Sequence, residues 1–323
     1  MKILVSQLPK NKWWGHGTPS YKNNPAMKEG LIPDQELVEI EMYLISKLFN
    51  RLPFEFVEIN FPKYLDRQNK LERKHDFVFV RDLFISDQNS KIVISSFSEK
   101  ERQIESDIMQ EMLESMNYNT LRIPEKNNAK AEGGEFYFCK GSNLLFSGCC
   151  RNNRAGAEWI SQEFDVKDLL ILQSDIFHLD TFFTPVINNS DNVVAVITCL
   201  DLMSVNSQIE LNKFSIKHDF EIINIDHSDS IGNESELGDF SVNCEPLPGY
   251  LIGPARFRSS RVNAALKKLK VKHITIPTTQ FRISGGGVHC ITNELYLLIY
   301  SISSEYSPVV AKLFNLARCM RAF

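Results

Sequence analysis

HLDTFFTPVINNSDNVVAVITCL, residues 178–200, is the stretch on which the fold turns. An apolar run, FFTPVI, meets a turn rich in Asn, Ser and Asp, and a second apolar run, VVAVITCL, follows it. Asn and Asp tolerate the tight backbone of a strand connection, and the flanking β-branched and aromatic residues favour extended chain, so a β-hairpin is predicted. SVNSQIELNKF comes next with weaker helical spacing, and FEIINI after it is again strand-like. The same unit recurs on both sides. DFVFVRDLFI, SDQNS and KIVISSF precede the helical EKERQIESDIMQEMLESM, and GEFYFCKGSNLLFSG precedes NRAGAEWISQEF and LLILQ. FSVNCEPLPGYLIGPA precedes SSRVNAALKKLK and HITIP, and HCITNELYLLIYSI precedes SPVVAKLFNLARCM. Five copies spaced by about 50 to 60 residues predict an α/β fold of β-β-α-β repeats, set radially as a five-bladed, pseudo-symmetric propeller. No long linker or low-complexity tract breaks the series, so residues 1–323 are expected to form a single domain.

Composition excludes several classes of function. The chain is 43% hydrophobic and 24% charged with a formal net charge of −4, ordinary values for a soluble globular protein. Lys and Arg are scattered among Asp and Glu rather than gathered in a patch, so no nucleic-acid partner is expected. The apolar run in MKILVSQ is too short for a signal-peptide core, and no apolar stretch is long enough to suggest a membrane span. Seven cysteines without a CxxC pair, two of them the adjacent Cys149 and Cys150, suit a reducing, cytoplasmic setting. Residues 8–36, which include Trp13 and Trp14, show no period and are expected to form a long loop or lid. The acidic stretch 226–241 also reads as a loop.

Polar residues stand where the copies should be apolar. Asp76 and Asp82 flank FVFVR, and Glu132 and Glu135 bracket two glycines in AEGGEFYF. His178 and Asp180 are two apart, so on a strand they would share a face. Cys290 follows GGGVH, where glycines let backbone come close to a ligand. In a radial repeat these ends face a common axis, which brings together Asp82, Glu132, His178, Asp180 and Cys290 from four repeats. Several carboxylates buried at one centre need a cation. Ca²⁺ or Mg²⁺ would suit the acids but has no use for a thiol, and zinc fits poorly with so many carboxylates. A planar organic cation suits all five residues. Carboxylates can grip a guanidinium through paired hydrogen bonds, a thiolate can attack its carbon, and a histidine can protonate the departing amine.

EGGE, FHLDTFF and GGGVHC, in that order, resemble the guanidine-modifying (pentein) superfamily of arginine deiminases, dimethylarginine hydrolases, agmatine deiminases and amidinotransferases. The resemblance runs from about residue 74 to residue 292, and the superfamily's five β-β-α-β units agree with the repeat count. It implies that Cys290 is a nucleophile forming a covalent thiouronium intermediate, with His178 as general acid and then general base. Glu132 would orient and charge-balance His178, and Asp82 and Asp180 would hold the guanidinium nitrogens. Arg151, and more loosely Arg102, would meet a substrate carboxylate. DFVFVRD and RNNRAGAE are similar to the dimethylarginine hydrolases and add Asp76 to the substrate-binding set, whereas HLD is similar to the deiminases and amidinotransferases. The arginine that some deiminases carry directly before the glycine run is not matched, since Arg282, Ile283 and Ser284 stand there. The first expectation is a hydrolase of arginine or a close derivative, releasing ammonia or an alkylamine. An amidinotransferase, a dimethylarginine hydrolase and a non-catalytic binding protein on the same fold are the alternatives. The expected partner is a small cationic guanidino substrate, with no metal or organic cofactor. The residues leave a homo-oligomeric state open.

Overall fold

The computed structural model describes residues 1–11, 30–69, 76–124, 128–233 and 236–296. Its strands in chain order are β1 (Lys2–Ser6), β2 (Glu55–Ile59), β3 (Phe84–Ser86), β4 (Ile92–Ile94), β5 (Thr120–Arg122), β6 (Phe136–Cys139), β7 (Leu144–Gly148) and β8 (Asp168–Leu172). They continue as β9 (Phe183–Ile187), β10 (Val193–Thr198), β11 (Glu221–Asn224), β12 (Glu245–Leu247), β13 (Tyr250–Gly253), β14 (Lys272–Thr275) and β15 (Asn293–Leu295). They form five three-stranded sheets. In four of them an antiparallel hairpin leads through a helix to a third strand, parallel to the second: β3-β4-β5, β6-β7-β8, β9-β10-β11 and β12-β13-β14. Each hairpin tip carries one residue at positive φ, at Gln88, Asn143, Asp191 and Gly249, as a tight connection demands. Asn153 and Ser204 cap the second and third helices by accepting from the N–H groups of Gly156 and Ser207.

The first strand of each unit is almost wholly buried, and the third is less buried in each of the four hairpin units. Residues just before a first strand therefore lie deepest in the molecule. Among them, the segments at 80–83, 133–135 and 179–181 touch in succession, β9 touches β12, and the short helix Val288–Ile291 touches both β13 and segment 80–83.

The structure corrects the sequence reading at four places. Segments 80–83, 133–135 and 179–181 are single 3₁₀ turns and 288–291 is one α-helical turn, where continuous strand was expected. The backbone bonds Asp82 N to Phe79 O, Glu135 N to Glu132 O and Thr181 N to His178 O tighten the chain there. His178 and Asp180 are thus brought together by a turn and not by strand alternation. The fifth unit is also assembled differently. Its first strand is β15, but the second and third are β1 and β2, antiparallel and parallel respectively, joined by the helix Gln35–Phe49. The helix expected at SPVVAKLFNLARCM lies outside the described residues. The loop expected at 8–36 stops at Asp34, whose side chain caps that helix, and residues 12–29, with Trp13 and Trp14, are likewise outside the described residues. Finally, 226–241 is no simple solvated loop. Asp229, Ser230 and Phe240 are buried, and Asp229 accepts from the Arg258 N–H. Among the described residues no helix is long and apolar enough to cross a membrane.

Candidate active site

Cys290 is 3% exposed, on the one-turn helix that precedes β15. Gly285 reaches it at φ +93°, a backbone that a side chain would strain. The Cys290 Sγ lies 3.2 Å from Asp180 Oδ2, to which the thiol donates, and 3.2 Å from Asn243 Nδ2. Asp180 Oδ2 also accepts from His289 Nδ1 at 2.8 Å. His178 stands between two acids, with Nε2 3.2 Å from Glu132 Oε2 and Nδ1 3.5 Å from Asp82 Oδ1. Gly134 makes room for this contact, because a Cβ there would lie 2.6 Å from both Asp82 Oδ1 and His178 Nδ1. The other Glu132 oxygen accepts from the Ser98 N–H at 2.8 Å and from its hydroxyl at 2.7 Å.

These groups meet at one solvent-open pocket, whose space amounts to about 470 Å³ with the solvent at its mouth included. Asp76, Phe79, Asp82, Arg102, Arg151, Phe177, His178, Ser284, Gly285 and Cys290 line it. Asp82 Oδ1, on the pocket wall, and Asp180 Oδ1, of the acid behind the sulfur, are buried and have no hydrogen bond among the described residues. Such atoms are costly unless a donor arrives. Among the described residues, no group of three or more His, Cys, Asp or Glu side chains is set to hold a metal ion.

The titration of the site follows from burial and charge. Burial would raise Glu132, but the hydrogen bond and charge of His178, helped by Arg151 and the Ser98 N–H, bring it down to about 2. Burial would lower His178, but Asp82, Glu132 and Asp180 together lift it to about 9, so it is a cationic acid at neutral pH. Burial, with Asp82 adding to it, pushes Asp180 up to about 7 against the pull of His178, Cys290 and Arg81. Burial and then the charges of Asp180 and Asp82 push the Cys290 thiol well above its ordinary value. The empty site therefore holds a protonated thiol.

All the residues singled out in the sequence lie in or beside this pocket, although their parts differ. Asp82, His178 and Cys290 line it directly, with Glu132 behind the histidine and Asp180 behind the sulfur. Arg102 lines the pocket but is bonded to the protein, through Nη1 to Asp82 Oδ2 at 2.7 Å and through Nε and Nη2 to Glu105. Its guanidinium is thus shared between Asp82 and Glu105 in this structure. Arg151 is less enclosed and pairs with Glu99 at 2.6 Å. Asp76 lines the pocket while its N–H donates to Glu105. Sequence reasoning gave no part to Asn243, His289 or Ser98. A signal for Asn243 was present: FSVNCEPL carries a polar residue just before the first strand of the fourth copy, the place occupied by the acids and the thiol elsewhere.

The family model described as N,N dimethylarginine dimethylhydrolase, eukaryotic, matches residues 55–297. No curated protein matches the chain. Among solved structures, the substrate-bound N-terminal domain of ArgZ, an arginine dihydrolase from the ornithine-ammonia cycle in cyanobacteria, is 20% identical with a TM-score of 0.72, covering 91% of this chain and 98% of that one. AgrE, in a ternary complex with ornithine and NAD⁺, is 19% identical with a TM-score of 0.72, covering 93% of this chain and 40% of its own. A dimethylarginine dimethylaminohydrolase in an adduct with 4-chloro-2-hydroxymethylpyridine is 16% identical with a TM-score of 0.62, covering 91% and 99%. These structures share the α/β fold of five small sheets. The chain belongs to the dimethylarginine dimethylhydrolase family, within the guanidine-modifying (pentein) superfamily.

Proposed function

We propose that this protein is a cysteine-dependent hydrolase of a guanidino C–N bond, with arginine or a close derivative as substrate. The observation that carries this reading is the meeting of Cys290 and a cationic His178 in one pocket, with Asp82 on its wall and Asp180 behind the sulfur, each acid keeping one buried oxygen without a hydrogen bond among the described residues. We read the five sheets as blades around a common axis, with the chain acting as one catalytic body. A guanidinium entering the pocket supplies N–H donors to Asp82 Oδ1 and Asp180 Oδ1 and places positive charge beside the sulfur. That charge favours loss of the thiol proton, which Asp180 Oδ2 is positioned to take. The sulfur attacks the guanidinium carbon and forms a C–S bond. His178 gives its proton to the departing nitrogen as the C–N bond breaks. Glu132 holds the ring in line throughout. Neutral His178 then takes a proton from water, whose oxygen attacks the thiouronium carbon. The C–S bond breaks and the sulfur recovers its proton. Guanidinium plus water gives a ureido product plus ammonium, so atoms and charge balance.

Arginine ranks ahead of dimethylarginine because a dimethylated nitrogen has no N–H for a buried carboxylate oxygen, and sites built to bond an N–H reject analogues lacking it. The family model favours the methylated substrate as the second reading. A cyanobacterial ArgZ domain has been captured covalently bound to a reaction intermediate, which supports a covalent route here. Mass spectrometry after incubation with L-arginine, with and without an amine acceptor, tests the proposal. Citrulline and ammonia from wild type, with loss of at least ~10⁴-fold in Cys290→Ser, is the expected result. Ornithine plus an amidinated acceptor would make the protein a transferase. Turnover of dimethylarginine alone would establish the second reading.

A further inference from the structure

Three of the four described hairpin units reach the pocket through residues that the reaction uses, and the fifth unit brings Cys290. The fourth reaches it through Asn243, which is fully buried just before β12. Its carboxamide has all its visible partners within the site. Nδ2 donates to Cys290 Sγ at 3.2 Å and to the Asp180 carbonyl at 3.0 Å, while Oδ1 accepts from the N–H groups of His289 at 3.1 Å and Cys290 at 3.3 Å. Gly287 permits this approach, because a Cβ there would lie 2.8 Å from Asn243 Oδ1. We propose that Asn243 fixes the position of the Cys290 sulfur and holds its negative charge during attack, as the neutral member of the nucleophile's surroundings.

The amide cannot turn over without loss. Reversed, its oxygen would face the Asp180 carbonyl and the sulfur, and its NH₂ group would face two N–H donors. The donor is therefore locked onto Sγ. It has nothing to accept an S–H proton with, so it favours thiolate over thiol. The charged and titratable groups around the sulfur are Asp180, Asp82 and His178, with His289 behind Asp180, Arg102 bonded to Asp82, Arg81 beneath, and Arg151 and Asp76 in the pocket wall. The acids oppose a negative sulfur, and His178 becomes neutral once it has protonated the leaving group. Asn243 keeps its donor at every pH and at every step.

The inference rests on Cys290 being the nucleophile, but its test needs no turnover. Cys290 is titrated by its ultraviolet thiolate absorbance, taken as the difference from Cys290→Ser, and by its rate of alkylation with iodoacetamide across pH. In Asn243→Leu, which keeps roughly the size of the side chain, removes the donor and adds no charge, the thiol should titrate at least about one unit higher, and alkylation below that point should slow about tenfold per unit. With substrate, kcat should fall at least about tenfold while KM changes little. Asn243→Ser, with a shorter donor, should shift the titration less, and it serves if the leucine variant does not fold. A folded variant with a lower melting temperature and a wild-type thiol titration would overturn the proposal and leave Asn243 a turn residue. A shifted titration in a protein inert toward every guanidino compound would instead overturn the hydrolase reading and keep the role of the amide.

Discussion

Arg81 and Asp82 are neighbours in the chain and end in opposite kinds of place. Arg81 is buried beneath the pocket, where Nη2 meets Glu245 Oε2 at 2.6 Å and Nη1 meets Glu294 Oε2 at 2.5 Å. Asn293 Oδ1 and the His289 carbonyl accept its further N–H groups, and Thr292 donates to Glu245. Here a guanidinium lies between two acidic side chains and each of its nitrogens has a partner, although Glu245 Oε1 has none among the described residues. In the pocket, Arg102 and His178 pair with Asp82, yet Asp82 Oδ1 and Asp180 Oδ1 stay buried without a hydrogen bond among the described residues. The lower layer has its guanidinium built in, and the pocket does not. On the proposed function, the first arrangement is structure and the second awaits the guanidinium of a substrate.

That comparison can be broken most directly at Arg81. Arg81→Met leaves Glu245 and Glu294 buried without their cation and should cost about 3–5 kcal/mol, read from the urea midpoint. Adding Glu245→Leu and Glu294→Leu should recover most of the loss, and a single variant as stable as wild type would show that the lower layer is not held by this ion pair. Asp180→Asn should do the reverse. It should lower kcat/KM by about 10²–10³-fold, roughly 2.7–4 kcal/mol, by removing a substrate acceptor and the neighbour of the sulfur. It should not destabilise the empty protein above neutral pH. The folded-state value of Asp180 is raised to about 7, so its favourable share of stability is present below the ordinary carboxylate value and lost as pH rises through 7. At pH 8 the variant should melt at or above wild type by calorimetry, and a lower melting temperature would contradict the contrast.

Two smaller effects sharpen it. His178 is held cationic up to about 9, so the stability gained from its charge is complete below its ordinary value and lost as pH rises through 9. Glu132→Gln removes one anion that holds it there. The alkaline limb of kcat/KM should move down from near 9 by about one unit, and a limb that stays in place would assign the ionisation to another group. Arg151→Ala should raise KM about tenfold for a substrate with a free carboxylate and leave kcat nearly unchanged. Agmatine, which lacks the carboxylate, should show no such change, and equal losses on both would remove Arg151 from carboxylate recognition.

The polar residues of the pocket were legible because each interrupts an apolar run. Asp82, Glu132, His178, Asp180 and Cys290 have no reason to stand at the buried ends of strands unless something charged meets them. The repeat was legible from the alternation of hairpins and helices. What could not be seen depends on distant parts of the chain. The partners of Arg81 at Glu245 and Glu294 look like ordinary charges near strands until the sheets are assembled around them. Arg102 resembles a free cation at a helix start, and only the fold shows it bonded to Asp82 and Glu105. Asn243 shows in the sequence only as a polar residue before an apolar run, and its partners at Cys290, His289 and Asp180 come from distant parts of the chain. The fifth sheet is the clearest case, since no local pattern announces that β15 pairs with a strand at residues 2–6.

That last pairing has a consequence for a chain still being made. Residues leave the ribosome from the N-terminus, so β1, Asp82, Glu132 and the His178 turn are all available long before Cys290 is added. Within the described sheets β15 lies against β1, and the one-turn helix carrying the sulfur comes directly before β15. The first strand must wait, with its edge unpaired, until nearly the last described residue arrives, a closure of high sequence separation and correspondingly slow. A nascent chain thus has its acids and histidine early and its reactive sulfur last. On the proposed function no chemistry can begin before residue 290 has been made, and a chain stalled two-thirds of the way along carries Asp82, Glu132, His178 and Asp180 without their proposed nucleophile.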